Sequence, residues 1–91
     1  MLDIEVKKIK EDDQQYFFDV QITEENNTTE HQVILFKNDY NRLSKQKTPE
    51  EFIKKSFEFL LERESKESIL KEFNILDINK YFSEYEREIQ S

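Results

Sequence analysis

The chain has 91 residues, of which 38% are charged, and a formal net charge of −7. It contains no glycine and no cysteine, which excludes disulfide frameworks, thiolate metal sites, cysteine nucleophiles and glycine-rich phosphate-binding loops. Because phosphate backbones and anionic lipids repel an acidic chain, we expect it to bind neither nucleic acid nor a membrane. Its length suits a single domain over residues 1–91, and without a long apolar run we expect a cytoplasmic protein.

The first third of the chain alternates apolar and polar side chains with a period of two, which predicts strands. We expect a three-stranded antiparallel meander, with strands at about residues 2–9, 15–23 and 30–37. A three-residue Glu-Asp-Asp turn then places Val6 opposite Phe18, and a two-residue Asn-Asn turn places Val20 opposite Val33. Both registers put the apolar side chains on one face of the sheet.

The third strand is apolar on both sides, so a second face of the sheet is expected to carry Phe17, Ile34 and Phe36. Tyr40 and Leu43 follow at once, and we favour an arrangement in which they fold back over this second face. The alternative is that the apolar patch is left for a partner.

Beyond the basic connector the apolar period becomes helical, so the fold class is α+β. Three helices are expected, at about residues 49–64, 66–73 and 78–89. The first has Thr48 as its N-cap, Pro49 at its first position and Glu51 to close a capping box. Its apolar arc is wide and centres on Phe57 and Leu60, so this helix should pack against both the sheet and another helix.

The last predicted helix carries a narrow aromatic stripe that contains Tyr81, Phe82 and Tyr85. At helical spacing such a stripe is more often core than surface. Tyrosine is also enriched in interfaces, and a terminal helix is easily shared between chains. A homodimer with Phe36, Tyr81 and Tyr85 as candidate contacts therefore stays open as the alternative.

Residues 37–47 form a basic connector between two acidic halves. Its net charge of +3 comes from one acid, Asp39, and four bases, Lys37, Arg42, Lys45 and Lys47. Residues 1–36 carry −6 and residues 48–91 carry −4. We favour attraction of the connector to the acidic parts of its own chain, and an anionic partner is the alternative.

The chain offers few residues that could carry out catalysis. His31 is the single histidine, so a His-His metal pair cannot form, and we expect it to be a packed structural residue. The carboxylates fall at predicted turns or on solvated helix faces, where they stay ionised, and no glycine is present for a nucleophile elbow. We expect no catalytic residue, no cofactor and no metal.

The C-terminal half carries a series of short motifs: TPEE at 48–51, SFEFLLERE at 56–64, ESIL at 67–70, Phe73, Ile78, YF at 81–82 and EYE at 84–86. In these motifs it resembles a group of small uncharacterised prokaryotic proteins of about this length. The resemblance implies a compact domain and no particular chemistry. In such relatives a proline often precedes EYE; because this chain has Ser83 there, we expect its last helix to be unbroken.

These observations favour a non-enzymatic interaction or accessory domain that binds an unidentified protein partner. The alternative is an acidic mimic or inhibitor that occupies a basic nucleic-acid-binding surface of its partner, because the sheet segment alone carries −6. Carboxylates gathered on one face would favour the mimic. A closed pocket lined by buried carboxylates or by His31 would favour an enzyme instead.

Overall fold

The structure is a computed structural model that describes residues 2–90. Its elements in chain order are β1 (Leu2–Glu11), β2 (Gln15–Glu24), β3 (Asn27–Phe36), α1 (Lys37–Leu43), α2 (Pro49–Leu61), a first 3₁₀ helix (Lys66–Ser68), β4 (Glu72–Asn74), a second 3₁₀ helix (Ile75–Lys80) and α3 (Tyr85–Ile89). The sheet order is β1-β2-β3-β4; the first three strands are antiparallel and β4 is parallel to β3. The α+β class and the three-stranded meander are confirmed. The fourth strand and α1 were not predicted.

One face of the sheet, which we call the inner face, forms one side of the core. Its buried side chains include Phe18, Val20, Ile22, Val33 and Leu35, and they form one apolar cluster with the buried side of α2 and with the C-terminal segment. Among residues 2–90, no helix packs on the opposite, outer face as part of this cluster. The predicted division into a buried and a second face is therefore confirmed, although the strands pair differently.

The first hairpin has another register than the predicted one. Val6 lies opposite Val20 instead of Phe18, and a bulge at Ile9 shifts the pairing near the turn. The turn begins one residue later than expected because the carboxylate of Asp12 accepts hydrogen bonds of 2.9 Å from two backbone N–H groups of the turn. Since the side-chain period of a strand is two, a shift by two residues keeps the predicted residues on the inner face.

In the second hairpin Val20 lies opposite His31 instead of Val33, because the two-residue turn is formed by Glu25 and Asn26. Glu25 has a φ of 57°, in the left-handed region that favours glycine. In this turn φ is positive at the first residue and not at the second, which is the pattern of a type II′ turn.

Polar pairs across the second hairpin favour its observed register. The side-chain amide of Gln21 donates to Glu30 at 3.2 Å, and the hydroxyls of Thr23 and Thr28 lie 3.0 Å apart. In the predicted register none of these side chains would face the partner it contacts here. Cross-strand pairs of this kind stabilise a sheet and offset the cost of the left-handed residue in the turn.

The central helix is confirmed. The Thr48 hydroxyl accepts from the Glu51 backbone N–H at 3.1 Å, and the Glu51 carboxylate accepts from the Thr48 backbone N–H at 2.8 Å. The buried side of α2 consists of Phe52, Ile53, Ser56, Phe57, Phe59 and Leu60. The helix ends at Leu61, three residues before the predicted end.

The helix predicted at residues 66–73 is wrong. The first 3₁₀ helix occupies only Lys66–Ser68, and the chain then extends into β4. The backbone N–H of Gln32 donates to the carbonyl of Lys71 at 2.7 Å, so the segment satisfies part of the edge of β3. A short local apolar stripe cannot compete with pairing to a distant strand, which sequence periodicity does not reveal.

The unbroken helix predicted at residues 78–89 is also wrong. The second 3₁₀ helix ends at Lys80, and α3 starts only at Tyr85. A continuous helix would put Tyr81 and Tyr85, four residues apart, on one face. The break instead leaves Tyr81 69% exposed and turns Tyr85 completely into the core. Serine at position 83 therefore does not keep this helix continuous.

Tyr40 and Leu43 do not cover the outer face, which corrects the expectation that they fold back over it. Leu43 is buried in the core cluster, and the Tyr40 ring packs edge-on against Tyr16 and Phe52 on the inner side. Phe36 remains 40% exposed on the outer face. The α1 helix reverses the chain toward α2 and so carries these residues to the inner side.

Phe57 provides a test of the core. It is fully buried and its ring centroid lies 6.0 Å from that of Phe73 and 5.7 Å from that of His31. We expect Phe57→Ala to lower the free energy of unfolding by about 3–5 kcal/mol in denaturant titrations. The exposed neighbour Glu58→Ala should change it by less than about 0.5 kcal/mol. A loss below about 1 kcal/mol for Phe57→Ala would show that α2 is peripheral.

Glu25 provides a test of the turn. Glu25→Gly should raise the free energy of unfolding by about 1 kcal/mol, because glycine adopts a positive φ without steric cost. Glu25→Ala removes the same charge without that conformational freedom, so it should give no gain. Equal gains in both variants would assign the effect to the lost charge and contradict the turn geometry.

Candidate interaction site

A cleft of about 150 Å³ lies between the C-terminal end of α2 and the segment that follows it. Its apolar walls include Leu60, Leu70, Phe73, Ile78, Tyr81 and Phe82. Two of these side chains are large apolar groups that stay exposed, Leu70 at 53% and Tyr81 at 69%. We call this site the Tyr81 cleft.

The segment that forms the floor of the Tyr81 cleft is held in place by contacts with the core. The side chain of Asn74 accepts from the backbone N–H of Leu76 at 2.9 Å and starts the second 3₁₀ helix. Ile78 in that helix is buried. The ring of Phe82 meets Phe59 of α2 edge-on, with 5.9 Å between ring centroids. The irregular segment is therefore attached to the core on both sides of Tyr81.

Tyr85 anchors the segment from inside. Its hydroxyl lies 2.6 Å from that of Ser56. Because the Ser56 hydroxyl donates to the carbonyl of Phe52 at 2.9 Å, the Tyr85 hydroxyl is the one that donates to Ser56. Burial raises the pKa of the Tyr85 phenol, so it stays protonated and keeps this role as donor. Tyr85 is thus buried within its own chain and is not available as a contact to a partner.

Arg63 attaches the end of α2 to the start of α3. Its guanidinium lies 3.6 Å from the centroid of the Phe59 ring and donates to the Phe59 carbonyl at 2.9 Å. It also forms ion pairs with Glu84 at 3.2 Å and Glu88 at 3.3 Å. Stacking and ion pairing by one arginine hold the α3 end of the segment in place.

The charged groups that line the Tyr81 cleft are acidic. Glu64 and Asp77 line it, and among the residues that the structure describes no Lys or Arg does. Asp77 has a cation nearby, Lys80 at 3.3 Å, but Glu64 forms no ion pair within residues 2–90. The cleft therefore offers apolar contact together with a carboxylate that is free to meet a cation.

His31 is held in place by hydrogen-bond contacts at both of its ring nitrogens. It is buried, and its Nδ1 lies 2.8 Å from the carbonyl of Leu70, so Nδ1 carries the proton and donates. The other ring nitrogen lies 2.9 Å from the hydroxyl of Thr29. His31 thus connects β3 to the segment that carries Leu70, which agrees with the structural role expected for it.

The four bases of the connector do not line the Tyr81 cleft. Lys37 pairs with Glu11 at 2.7 Å, and Arg42 makes two hydrogen bonds of 2.8 and 3.2 Å to Glu86 of α3. These contacts are the attraction to the connector's own chain that we favoured. Within residues 2–90, Lys45 and Lys47 form no ion pair.

The outer face of the sheet is a second candidate surface. Its register rows contain five acids, Asp3, Glu5, Asp19, Glu30 and Glu72, together with two lysines, Lys7 opposite Asp19 and Lys10 opposite Phe17. One carboxylate oxygen of Asp19 is buried without a hydrogen-bond partner. Burial, and next the charge of Glu30, raise the pKa of Asp19. Phe36 lies at the other, apolar end of this face.

Sequence reasoning found Tyr81 but missed the other parts of the Tyr81 cleft. Leu70 lies within the predicted helix at residues 66–73, which does not form, and no local signal shows that it is exposed. Glu64 was placed inside the first helix, which ends before it. The spacing of Glu84 and Glu88, four residues apart and so on one side of a helix, is a signal that could have indicated a cation such as Arg63.

No family model matches this chain, and neither a curated protein nor a solved structure resembles it significantly. The resemblance of the C-terminal half to small prokaryotic proteins stays a prediction. None of the helices within residues 2–90 is long and apolar enough to cross a membrane. In that same range, no three His, Asp or Glu side chains are grouped so that they could hold a metal ion.

A double-mutant cycle tests the anchor of the Tyr81 cleft. Ser56→Ala leaves the Tyr85 hydroxyl buried and unpaired, which should cost about 1–3 kcal/mol of unfolding free energy. Tyr85→Phe should cost about 0.5–1.5 kcal/mol. The double variant should cost clearly less than the sum, because it leaves no buried hydroxyl without a partner. Additive losses would contradict a direct hydrogen bond between the two groups.

The contact between α1 and α3 predicts a pH dependence. The hydrogen bonds from Arg42 lower the pKa of Glu86 below its ordinary value of 4.5. The pair therefore contributes stability above pH 4.5, and this contribution is lost as the pH falls through the lowered pKa. Glu86→Gln should cost about 0.5–1 kcal/mol at pH 7, since the pair is partly exposed, and nothing at low pH.

Glu25→Gln removes one carboxylate from an exposed turn and serves as the control for this measurement. The free energy of unfolding is measured by denaturant titration between pH 7 and pH 2. A constant difference between Glu86→Gln and the parent over that range would rule out the ion pair as its source.

Proposed function

We propose that the protein is a non-enzymatic interaction domain that holds an apolar side chain of a protein partner in the Tyr81 cleft. The observation that carries the proposal is the exposure of Leu70 and Tyr81 at the rim of a cleft formed by the fold itself. Small-molecule sites usually have volumes of roughly 300–1,000 Å³. The volume of about 150 Å³ found here suits one large side chain better than a whole metabolite.

The acidic residues at the cleft indicate the charge of the partner segment. Glu64 and Asp77 at the cleft, in a chain of net charge −7, favour a partner segment with Lys or Arg beside its apolar anchor. Pairing of two Tyr81 clefts would bring these carboxylates together, so a second copy of the chain is not the partner proposed for this site. Tyrosine at the centre of such a contact is typical of residues that dominate binding energy.

Titration with short peptides tests this function. One peptide has a central Phe flanked by lysines, and the other has the same Phe flanked by glutamates. With the isotope-labelled protein, the lysine peptide should shift the NMR signals of Leu70, Phe73 and Tyr81, and the glutamate peptide should not. No shift with either peptide, or shifts confined to the outer face, would contradict the proposal.

Two exposed aromatic residues provide matched variants for the peptide titration. Tyr81→Ser should weaken binding of the lysine peptide at least about tenfold without a change in the free energy of unfolding. Phe36→Ser removes a partly exposed aromatic ring outside the cleft and should leave binding unchanged. Equal weakening by both substitutions would mean that the peptide is not held in the Tyr81 cleft.

The second candidate function is the acidic mimic, and the acids of the outer face favour it. Burial, and next the charge of the neighbouring Glu30, raise the pKa of Asp19, an arrangement that costs stability at neutral pH. A mimic would bind a basic DNA-binding protein in competition with duplex DNA. Glu5→Gln with Glu30→Gln should then abolish that binding, whereas Tyr81→Ser should not affect it.

A further inference from the structure

The strand β1 has an open edge. It is the first strand in the sheet order and pairs only with β2. Within residues 2–90, no strand pairs with its other side. An open edge of this kind presents backbone N–H and C=O groups that can pair with another chain. A partner strand must have side chains that fit beside those of β1.

The charges along β1 are divided between its two ends. Asp3 and Glu5 lie toward its start, and Lys7, Lys8 and Lys10 lie toward its end. The last residue, Glu11, is an acid that already forms ion pairs with Lys8 and Lys37 of its own chain. In an antiparallel pair the start of one strand lies opposite the end of the other. A second copy of β1 would therefore bring acids opposite bases, so the strand is complementary to itself.

The geometry of the sheet restricts the possible registers. A two-fold axis perpendicular to the sheet pairs residues of the same face, and with Val6 on the axis Glu5 lies directly opposite Lys7 of the second copy. Moving the axis by one residue along the strand places it at Glu5 or at Lys7, and then two like charges meet. The register centred on Val6 avoids both conflicts and forms two pairs of opposite charge.

The neighbours of Glu5 and Lys7 on β2 agree with the register centred on Val6. Glu5 forms no ion pair within residues 2–90, because its neighbour on β2 is the uncharged Gln21. Lys7 lies opposite Asp19 of β2 and would also face Glu5 of the second copy, so it would lie between two acids. The bulge at Ile9 ends the regular part of the edge, and the new ladder would run from residue 4 to residue 8 of each copy.

We propose that the protein forms a homodimer in which β1 pairs antiparallel with β1 of a second copy, with Val6 at the two-fold axis. The two four-stranded sheets then form one continuous sheet with both sets of helices on the same side. Lysines on edge strands oppose pairing with unrelated strands. Here the acids of the second copy compensate them, which makes the pairing selective for the chain itself. This interface is separate from the Tyr81 cleft.

Charge exchange tests the proposal with the full chain. Analytical ultracentrifugation of the parent protein at increasing concentration should show a shift from 11.2 kDa to twice that mass. Since exposed ion pairs are screened by salt, the dimer should weaken at high ionic strength. Glu5→Lys alone and Lys7→Glu alone should each weaken it at least tenfold, because each places like charges opposite one another.

The decisive sample is a mixture of the two single variants. A copy with Glu5→Lys and a copy with Lys7→Glu are complementary to each other in the register centred on Val6, so their mixture should recover the dimer. The double exchange Glu5→Lys with Lys7→Glu in one chain should recover it as well. Circular dichroism of each variant checks that it is folded. A parent protein that is monomeric at all concentrations, or a dimer that neither single variant weakens, would overturn the proposal.

Discussion

The hydrogen bond between the hydroxyls of Tyr85 and Ser56 attaches the C-terminal segment to the central helix. The chain has no glycine, and the other side chains on the buried side of α2 are large. Ser56 is the smallest residue of that set and leaves room for another element to approach. The ring of Tyr85 occupies this room, and its hydroxyl satisfies the polar group that a serine brings into a core.

The candidate site depends on this anchor. Because Tyr85 turns inward, the chain before it cannot continue as a helix, and Tyr81 remains outside. Phe82 and Arg63 then fix the two sides of the segment against Phe59. The apolar surface at the cleft follows from how the core is filled, and its acidic surroundings distinguish it from the apolar end of the outer face.

Local signals in the sequence were sufficient for the strands, for the inner face and for α2, whose capping box is complete within four residues. They were insufficient for the registers. The turns at Asp12 and Glu25 depend on side-chain contacts, and a period of two does not distinguish registers that differ by two residues. The strand β4 and the break before Tyr85 depend on residues far away in sequence, namely β3 and Ser56. Tyr81 could therefore be identified as a candidate, but its separation from Tyr85 could not.

The segment around Tyr81 belongs to the cooperative core and forms a permanent wall of the cleft. Native-state hydrogen exchange measures this most directly, at the backbone N–H of Phe82, which donates to the Ile78 carbonyl at 2.9 Å, and at that of Tyr85, which donates to the Phe82 carbonyl at 3.1 Å. We expect both amides to exchange with nearly the free energy of global unfolding, as we expect for the amides of β2. Exchange of Phe82 and Tyr85 at a much lower free energy, while β2 stays protected, would show that the segment detaches from the core and would contradict a preformed cleft.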